Sequence, residues 1–76
     1  MNQTKRPLSN LKSLKNFGNK IRSIRKQREI SQEALADAAG IERSYMGAIE
    51  RGERNPSLDK IISISKALKV KSSELL

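Results

Sequence analysis

Three adjacent hydrogen-bonding side chains, those of Arg43, Ser44 and Tyr45, follow closely after a glycine, Gly40, in a chain of 76 residues. An arginine presents several N–H donors in a rigid plane, and a hydroxyl both donates and accepts, so this group is suited to binding a partner with polar edges. A second group of donors follows in the same stretch and comprises Arg51, Arg54 and Asn55. The stretch from Gly40 to Leu58 is therefore the first candidate for a functional surface.

The composition argues against catalysis. The chain contains no cysteine and no histidine. Disulfides, thiolate metal sites and cysteine nucleophiles are therefore excluded, and the commonest general base and metal ligand is missing. The chain is also too short for a ligand-sensing second domain or a large substrate cleft. We predict that the protein is not an enzyme and uses no cofactor, metal or small-molecule ligand.

The charge is large and unevenly distributed. The formal net charge is +8, from 16 Lys and Arg against 8 Asp and Glu. Such a surplus indicates an anionic partner, with nucleic acid the first candidate and a membrane surface the second. Residues 31–50 hold four acids and a single base, Arg43, whereas both flanks are basic. A non-specific polycation would not single out one arginine in this way.

We expect neither a membrane span nor a secretory signal. No run approaches the roughly 18 apolar residues of a span, and the N-terminus lacks a continuous apolar core. A cytoplasmic protein without a membrane partner is therefore expected. Residues 1–12 are polar, contain Pro7 and show no periodicity, so they are predicted to be a flexible basic tail before one domain over residues 13–76.

Apolar periodicity and cap residues predict an all-α fold. Apolar residues recur at helical spacing along the predicted elements. Ser31 and Ser57 are suited to be N-caps, and Gly40 can adopt the positive φ that ends a helix. These signals indicate five helices, at about residues 13–28, 32–39, 43–51, 58–69 and after 72.

The pattern also predicts two features of the packing. Gly18 lies inside the first helix, where glycine costs roughly 1 kcal/mol relative to alanine, so we expect another element to pack closely there. On the fourth helix, the inner face is predicted to comprise Leu58, Ile61, Ile64 or Ser65, and Leu68.

The string from Ser31 to Leu68 carries a family resemblance. Two short helices joined by a tight glycine turn, in a small basic helical domain, form a helix-turn-helix arrangement. Over roughly residues 17–76 the chain resembles the Cro and phage-repressor (XRE-like) type, through Ser31-Gln32-Glu33, Leu35-Ala36, Gly40-Ile41, Ile49-Glu50-Arg51-Gly52 and Asn55-Pro56-Ser57-Leu58. Within that type it is most similar to restriction–modification controller proteins, through Arg43-Ser44-Tyr45, Gly47, Ile49-Glu50-Arg51 and Arg54-Asn55. The resemblance implies a compact five-helix, lambda-repressor-like domain with the helix-turn-helix at helices 2–3.

The resemblance assigns base reading to the third helix. A recognition helix lies in the major groove with its N-terminal residues at the base edges. Arg43 is suited to bind guanine O6 and N7 bidentately, and Ser44 to bind a base or a phosphate. Tyr45 either packs on a sugar or thymine methyl or belongs to the core. Gly47 and Ala48 are expected to face outward one turn later, where small residues let the helix approach DNA closely. We predict base contacts for Arg43, Ser44, Tyr45 and Gly47.

Phosphate contacts are predicted at both ends of the helix-turn-helix. Gln32 begins the second helix, where free N–H groups attract a phosphate. Arg51, Arg54 and Asn55 lie just past the recognition helix, where the family holds residues that contact the DNA backbone. The alternative for each of the four is a solvated surface side chain.

Two positions have other roles. In phage repressors an arginine of helix 1 pairs with a glutamate late in helix 3, so the resemblance implies a structural ion pair between Arg25 and Glu50. Glu42 departs from the family, which usually has Ser or Thr just before the recognition helix. A glutamate caps less well. It leaves open pairing with Arg43 or Arg54, or accepting a hydrogen bond from a cytosine N4.

A single recognition helix reads only a few base pairs, so useful specificity calls for a two-fold dimer on half-sites about 34 Å apart. Surplus apolar residues near the C-terminus are predicted to supply at least part of the dimer interface: Ile62, Val70, Leu75 and Leu76. The alternative for Val70 and Leu75 is that they close the core.

The predicted function is a homodimeric, sequence-specific regulator of transcription that binds double-stranded operator DNA, with RNA polymerase as a further partner. The narrower resemblance implies a restriction–modification controller that binds upstream of its own gene. Alternatives with the same fold are a stand-alone phage-type repressor and an antitoxin whose main partner is a toxin protein. A membrane-bound basic domain would leave the string from Ser31 to Ser57 unexplained.

Overall fold

The computed structural model describes residues 11–76, and this part of the chain contains five helices and no strand. They are α1 (Leu11–Gln27), α2 (Gln32–Ala39), α3 (Arg43–Glu50), α4 (Leu58–Leu68) and α5 (Ser72–Leu75). The predicted all-α fold is confirmed. The predicted boundary of the tail is not, because residues 11 and 12 already belong to α1. The rest of the predicted tail, residues 1–10, lies outside the described residues.

Both predicted serine N-caps are present. Ser31 Oγ accepts a hydrogen bond from the backbone N–H of Ala34 at 2.9 Å, at the start of α2. Ser57 Oγ accepts from the backbone N–H of Lys60 at 3.3 Å, at the start of α4. Each cap satisfies one N–H group that the first helical turn leaves without an intrahelical partner.

The turn between α2 and α3 depends on a left-handed residue. Gly40 has φ 69° and ψ 34°, a conformation that glycine adopts without a steric penalty from a Cβ. The Ile41 N–H then donates to Ala36 O at 2.9 Å, which closes the end of α2. Ile41 is buried, so the turn is held from inside as well.

The core is mainly aliphatic and lies between all five helices. Within the described chain, α2 packs against α3 and α4, and α1 packs against α3 and α5. The fully buried large side chains of the core include Phe17, Ile21, Leu35, Met46, Ile49, Ile61, Ile64, Leu68 and Leu75. None of the described helices combines the length and apolar character needed to cross a membrane.

The predicted inner face of α4 is wrong at one position. Leu58 is 54% exposed, whereas Ile61, Ile64 and Leu68 are buried and Ser65 lies beside them. At about 100° per residue, the stripe formed by these four places Leu58 on the flank of α4, next to Ile62. Leu58 therefore adds to the apolar surface of the molecule, not to its core.

Gly18 lies where the backbones of α1 and α3 meet. A Cβ built on Gly18 would lie 2.5 Å from Ile49 O and 2.8 Å from Glu50 C, both at the end of α3. Real side-chain carbons do not approach backbone atoms this closely. The predicted close packing at Gly18 is thus confirmed, and the partner is the last turn of α3.

Gly18→Ala should destabilise the protein by about 1–3 kcal/mol, even though alanine is the better helix former, because the added methyl overpacks against immobile backbone. Urea unfolding would measure the change. Gly47→Ala is a matched control in a helix, since its Cβ would meet only side-chain ends, Arg51 Nη1 at 3.1 Å and Gln32 Oε1 at 3.3 Å. A Gly18→Ala protein as stable as this control would contradict the close approach of α1 and α3.

Candidate nucleic-acid interface

The first residues of α3 present polar side chains to solvent. Arg43 and Ser44 are exposed, whereas Met46 and Ile49 on the other side of the helix are buried. The burial of one side fixes the rotation of α3 about its axis. Two of the four predicted base-contacting residues therefore lie on an accessible helix end, as the prediction requires.

Glu42 precedes α3 but does not cap it with its side chain. Its Oε1 instead accepts a hydrogen bond from Ser44 Oγ at 3.1 Å. The pairing of Glu42 with Arg43 or Arg54, which the sequence left open, is not observed, since the two ion pairs found within residues 11–76 involve other residues. The serine hydroxyl is thus oriented by the carboxylate, and its oxygen keeps a lone pair for a donor on a partner.

Gly47 differs from the prediction that it faces outward. It is buried at the floor of a depression lined by Gln32, Arg43, Ser44 and Arg51. The ends of Gln32 and Arg51 lie 3.3 and 3.1 Å from the position of a Cβ on Gly47. These two longer side chains cover the glycine, so a base edge would meet them before it met Gly47.

Glu50 joins three helices through its carboxylate. Its Oε2 accepts from Arg25 Nε at 2.8 Å, and its Oε1 accepts from Arg25 Nη2 at 3.0 Å and from Gln32 Nε2 at 3.1 Å. Arg25 Nη1 also donates to Ile30 O at 3.0 Å. The side chains of Arg25 and Glu50 are only 12% and 4% exposed. The ion pair that the resemblance implied is therefore present, and Arg25 acts in structure.

Gln32 has a second role that the sequence did not indicate. Its amide nitrogen is used by Glu50, so its side chain is anchored across α2 and α3. Gln32 is half-buried at the first position of α2, beside the helix end where free N–H groups attract anions. A phosphate contact by Gln32 thus stays a prediction. The side chain that would make this contact is held in place by Glu50.

Tyr45 lies on the flank of α3 away from Gly47, and two cations lie over its ring. Arg54 Cζ is 5.1 Å and Lys60 Nζ 5.3 Å from the ring centroid, both within the range of cation–π attraction. The ring is half-buried and packs against the core. We call Tyr45, Arg54 and Lys60 the Tyr45 cluster. Lys60 was missed from the sequence, where a lysine in the first turn of the fourth helix gives no signal of this contact.

The remaining predicted phosphate-contacting residues follow α3. Arg51 Nε lies 3.1 Å from Glu53 Oε1, and both side chains are more than half exposed, so this ion pair contributes little to stability. Asn55 is half-buried, and its Oδ1 is buried without a hydrogen-bond partner among the described residues. Arg51 is therefore free to exchange its carboxylate partner for a phosphate.

The predicted dimer residues separate into two groups. Leu75 is 1% exposed and belongs to the protomer core, because α5 folds back onto α1 and α4, so its assignment to the interface is wrong. Val70 is half-buried and packs against the same core. Ile62 and Leu76 are 36% and 50% exposed and remain available to a partner.

A helix-turn-helix family model matches residues 21–75, nearly the whole described chain. The protein belongs to this helix-turn-helix family. The match spans α2, the Gly40 turn and α3, which carry the interface residues. The family resemblance drawn from the sequence is thereby confirmed.

Relatives within the helix-turn-helix family include control proteins. The chain is 51% identical to control protein C.BamHI of Bacillus amyloliquefaciens over 61 residues, which are 79% of this chain and 75% of that protein. The crystal structure of the restriction-modification controller protein C.AhdI of Aeromonas hydrophila superposes with a TM-score of 0.84 at 42% identity, covering 86% of this chain and 98% of that one. SinR, a master regulator for biofilm formation solved in complex with DNA, matches with a TM-score of 0.74 at 35% identity, over 78% of this chain and 95% of that one.

Breaking the buried ion pair on one side should be far more harmful than removing it. Glu50→Leu leaves the Arg25 guanidinium buried without its carboxylate and is expected to cost about 3–5 kcal/mol of unfolding free energy. The double variant Arg25→Met/Glu50→Leu should recover much of this loss, because no unpaired charge remains. Urea unfolding of the wild type, Arg25→Met, Glu50→Leu and the double variant gives the coupling between the two residues. Additive losses in the double variant would show that the two side chains do not interact.

Proposed function

We propose that the protein is a sequence-specific, double-stranded DNA-binding regulator of transcription, and that it controls a restriction–modification system as a homodimer. It acts in the cytoplasm, where its DNA is, and it is not an enzyme. The narrower assignment is supported by C.BamHI and C.AhdI, whose names describe them as control and controller proteins. RNA polymerase is proposed as a further partner on the family resemblance alone.

The observation that carries the proposal is the exposed N-terminus of α3 between two groups of donors. Arg43 and Ser44 project from the helix end, where they can reach base edges when α3 lies in a major groove. Gln32 and Arg51 line one depression with them, and the Tyr45 cluster lies on the opposite flank of α3 from Gly47. This arrangement is suited to base edges bordered by two phosphate backbones.

Discrimination between bases is assigned to Arg43. A guanidinium bound to guanine O6 and N7 is worth about 1–3 kcal/mol, or roughly 5- to 150-fold in affinity. Ser44 adds an acceptor next to it, because its O–H donates to Glu42. Phosphate contacts from Gln32, Arg51, Arg54 and Asn55 would set the register of the helix on the duplex and carry no sequence information directly.

A homodimer is proposed because one α3 reads too few base pairs for a unique operator. The homodimer is supported by three exposed apolar residues that it could bury, Leu58, Ile62 and Leu76. Leu58 and Ile62 are neighbours on one flank of α4, at i and i+4. Two-fold pairing through this flank would give the same residues on both sides of the interface.

Arg43→Ala should lower affinity for a selected operator by roughly 5- to 150-fold while changing affinity for random-sequence duplex little. The operator duplex is first selected by the wild-type protein from a random pool, and both affinities are measured by fluorescence anisotropy at one salt concentration. Arg54→Ala is the matched comparison, since removal of a phosphate-binding side chain should weaken both duplexes equally. Equal losses on both duplexes for Arg43→Ala would make Arg43 a backbone contact and refute its assignment to bases.

Ile62→Asp should convert the dimer to monomer, because a carboxylate would be buried in an apolar interface without a partner. Sedimentation equilibrium measures the change, with an expected rise in the dimer dissociation constant of at least about 10-fold, equivalent to about 1.4 kcal/mol. Ser23→Asp adds the same charge at an exposed position on α1 and should leave the dimer intact. A wild-type protein that stays monomeric on operator DNA would exclude the homodimer itself.

A further inference from the structure

We propose that Lys60 is a DNA phosphate contact and that Tyr45 positions it, together with Arg54, on the second wall of the major groove. This proposal rests on the proposed function and extends it. It changes the role of Tyr45 from the base contact expected from the sequence to a platform for two cations. It also adds a residue of α4 to an interface that otherwise consists of α2, α3 and the loop after α3.

The geometry of the Tyr45 cluster brings two positive charges to one ring. Arg54 and Lys60 lie 5.1 and 5.3 Å from the ring centroid. Each is attracted to the ring, but the two cations repel each other. Neither takes part in the ion pairs found within residues 11–76, which join Arg25 to Glu50 and Arg51 to Glu53. An anion bound between them would relieve the repulsion.

Lys60 is also placed where its own helix does not favour a cation. It lies in the first turn of α4, at the end where the helix dipole favours negative charge. Two carboxylates are close in sequence or space: Asp59 precedes Lys60, and Glu42 shares with Lys60 and Tyr45 the lining of a shallow depression. Glu42 accepts a hydrogen bond from the neutral hydroxyl of Ser44, and in the described part of the chain neither carboxylate forms an ion pair with Lys60. A phosphate would be favoured by both the dipole and the two cations.

The Tyr45 cluster lies on the flank of α3 that would face the second strand of a duplex in the proposed complex. Tyr45 and Gly47 are two residues apart on α3 and therefore point about 160° apart around its axis. Gly47 faces Gln32 and Arg51, and Tyr45 faces Lys60 and Arg54. Ser44 lies between these two directions, and Arg43 borders the depression that Gln32 and Arg51 line, so each flank can approach one of the two backbones that border the groove.

Tyr45 acts in this proposal through the two cations that its ring holds. A lysine has a long, flexible stem, and ordering it on a DNA phosphate costs conformational entropy. The half-buried ring restricts Lys60 before DNA arrives, so less conformational freedom is removed on binding. The hydroxyl of Tyr45 is not needed for this role, and the ring is.

Lys60→Ala tests the phosphate contact. The plot of log affinity against log salt should become shallower by about 0.9 for each phosphate that is no longer neutralised, or about 1.8 for a dimer in which each protomer releases one. Operator and random-sequence duplexes should show the same change between about 50 and 200 mM salt. The capping bond of this residue uses its backbone N–H, so the fold should be unaffected. Lys60→Arg, which keeps the charge, should keep the slope.

Lys66→Ala is the matched control. Lys66 is an exposed lysine in the last turn of the same helix and lies away from the ring of Tyr45. Lys66→Ala removes the same charge as Lys60→Ala, so any general effect of net charge on DNA binding appears in both variants. Equal slopes for Lys60→Ala and Lys66→Ala would overturn the proposal and leave Lys60 a solvated lysine.

Tyr45 variants test the positioning role. Tyr45→Phe should keep both the slope and the affinity, whereas Tyr45→Leu should weaken binding to both duplexes by a similar factor of about 3- to 10-fold, equivalent to roughly 0.7–1.4 kcal/mol. In a Lys60→Ala/Arg54→Ala background, Tyr45→Leu should have little further effect. A weakening confined to the operator, or one that persists in that background, would make Tyr45 a base contact.

The outcomes also separate this proposal from the proposed function. A wild-type protein that selects no duplex from the random pool would refute the function as a sequence-specific regulator. If the wild type selects an operator and Arg43→Ala weakens binding to it, the function as a sequence-specific regulator is kept. If Lys60→Ala then leaves binding unaffected, only the role of Lys60 is refuted.

Discussion

The carboxylate of Glu50 is the contact on which the interface depends. It lies on α3 and accepts hydrogen bonds from Arg25 of α1 and Gln32 of α2, so one buried group links three helices. A buried charge without partners would be very unfavourable, and any shift of α3 would have to carry both donors with it. The start of α2 and the exposed end of α3, which together face DNA in the proposed complex, are therefore held in a fixed relation.

The backbone contact at Gly18 complements this ion pair. Gly18 and Arg25 are seven residues, or about two turns, apart on α1 and so lie on the same face. At one point the helix meets the final carbonyls of α3 with no side chain between, and at the other a directional ion pair reaches the side chain of Glu50. Apolar packing alone is non-directional and tolerates sliding of helices. A close backbone contact combined with oriented hydrogen bonds defines both the spacing and the register.

The helices could be predicted from the sequence because their signals are local. Ser31, Ser57 and Gly40 act within a few residues of their own positions, and even the close packing at Gly18 follows from the cost of glycine in a helix. What failed depends on neighbours distant in sequence. The rotation of α4 exposed Leu58, the fold-back of α5 buried Leu75, and side chains from two helices covered Gly47. The pair of Arg25 and Glu50 has no local signal and was reached only through the family resemblance.

The small number of accessible residues that are assigned to bases limits how the proposed complex could recognise an operator. Arg43 and Ser44 are exposed, but Gly47 is covered. In the proposed complex, one bidentate arginine per protomer would supply about 1–3 kcal/mol, hence about 2–6 kcal/mol for two protomers. Specific sites are typically favoured over random DNA by about 4–10 kcal/mol. In that complex, features sensed without touching bases, such as groove width and the deformability of the duplex, would supply the remainder. Donors held rigidly on the two flanks of α3 are suited to this, because they fit only a groove whose phosphates are correctly spaced. The rigidity imposed by Glu50 is then part of recognition as well as of the fold.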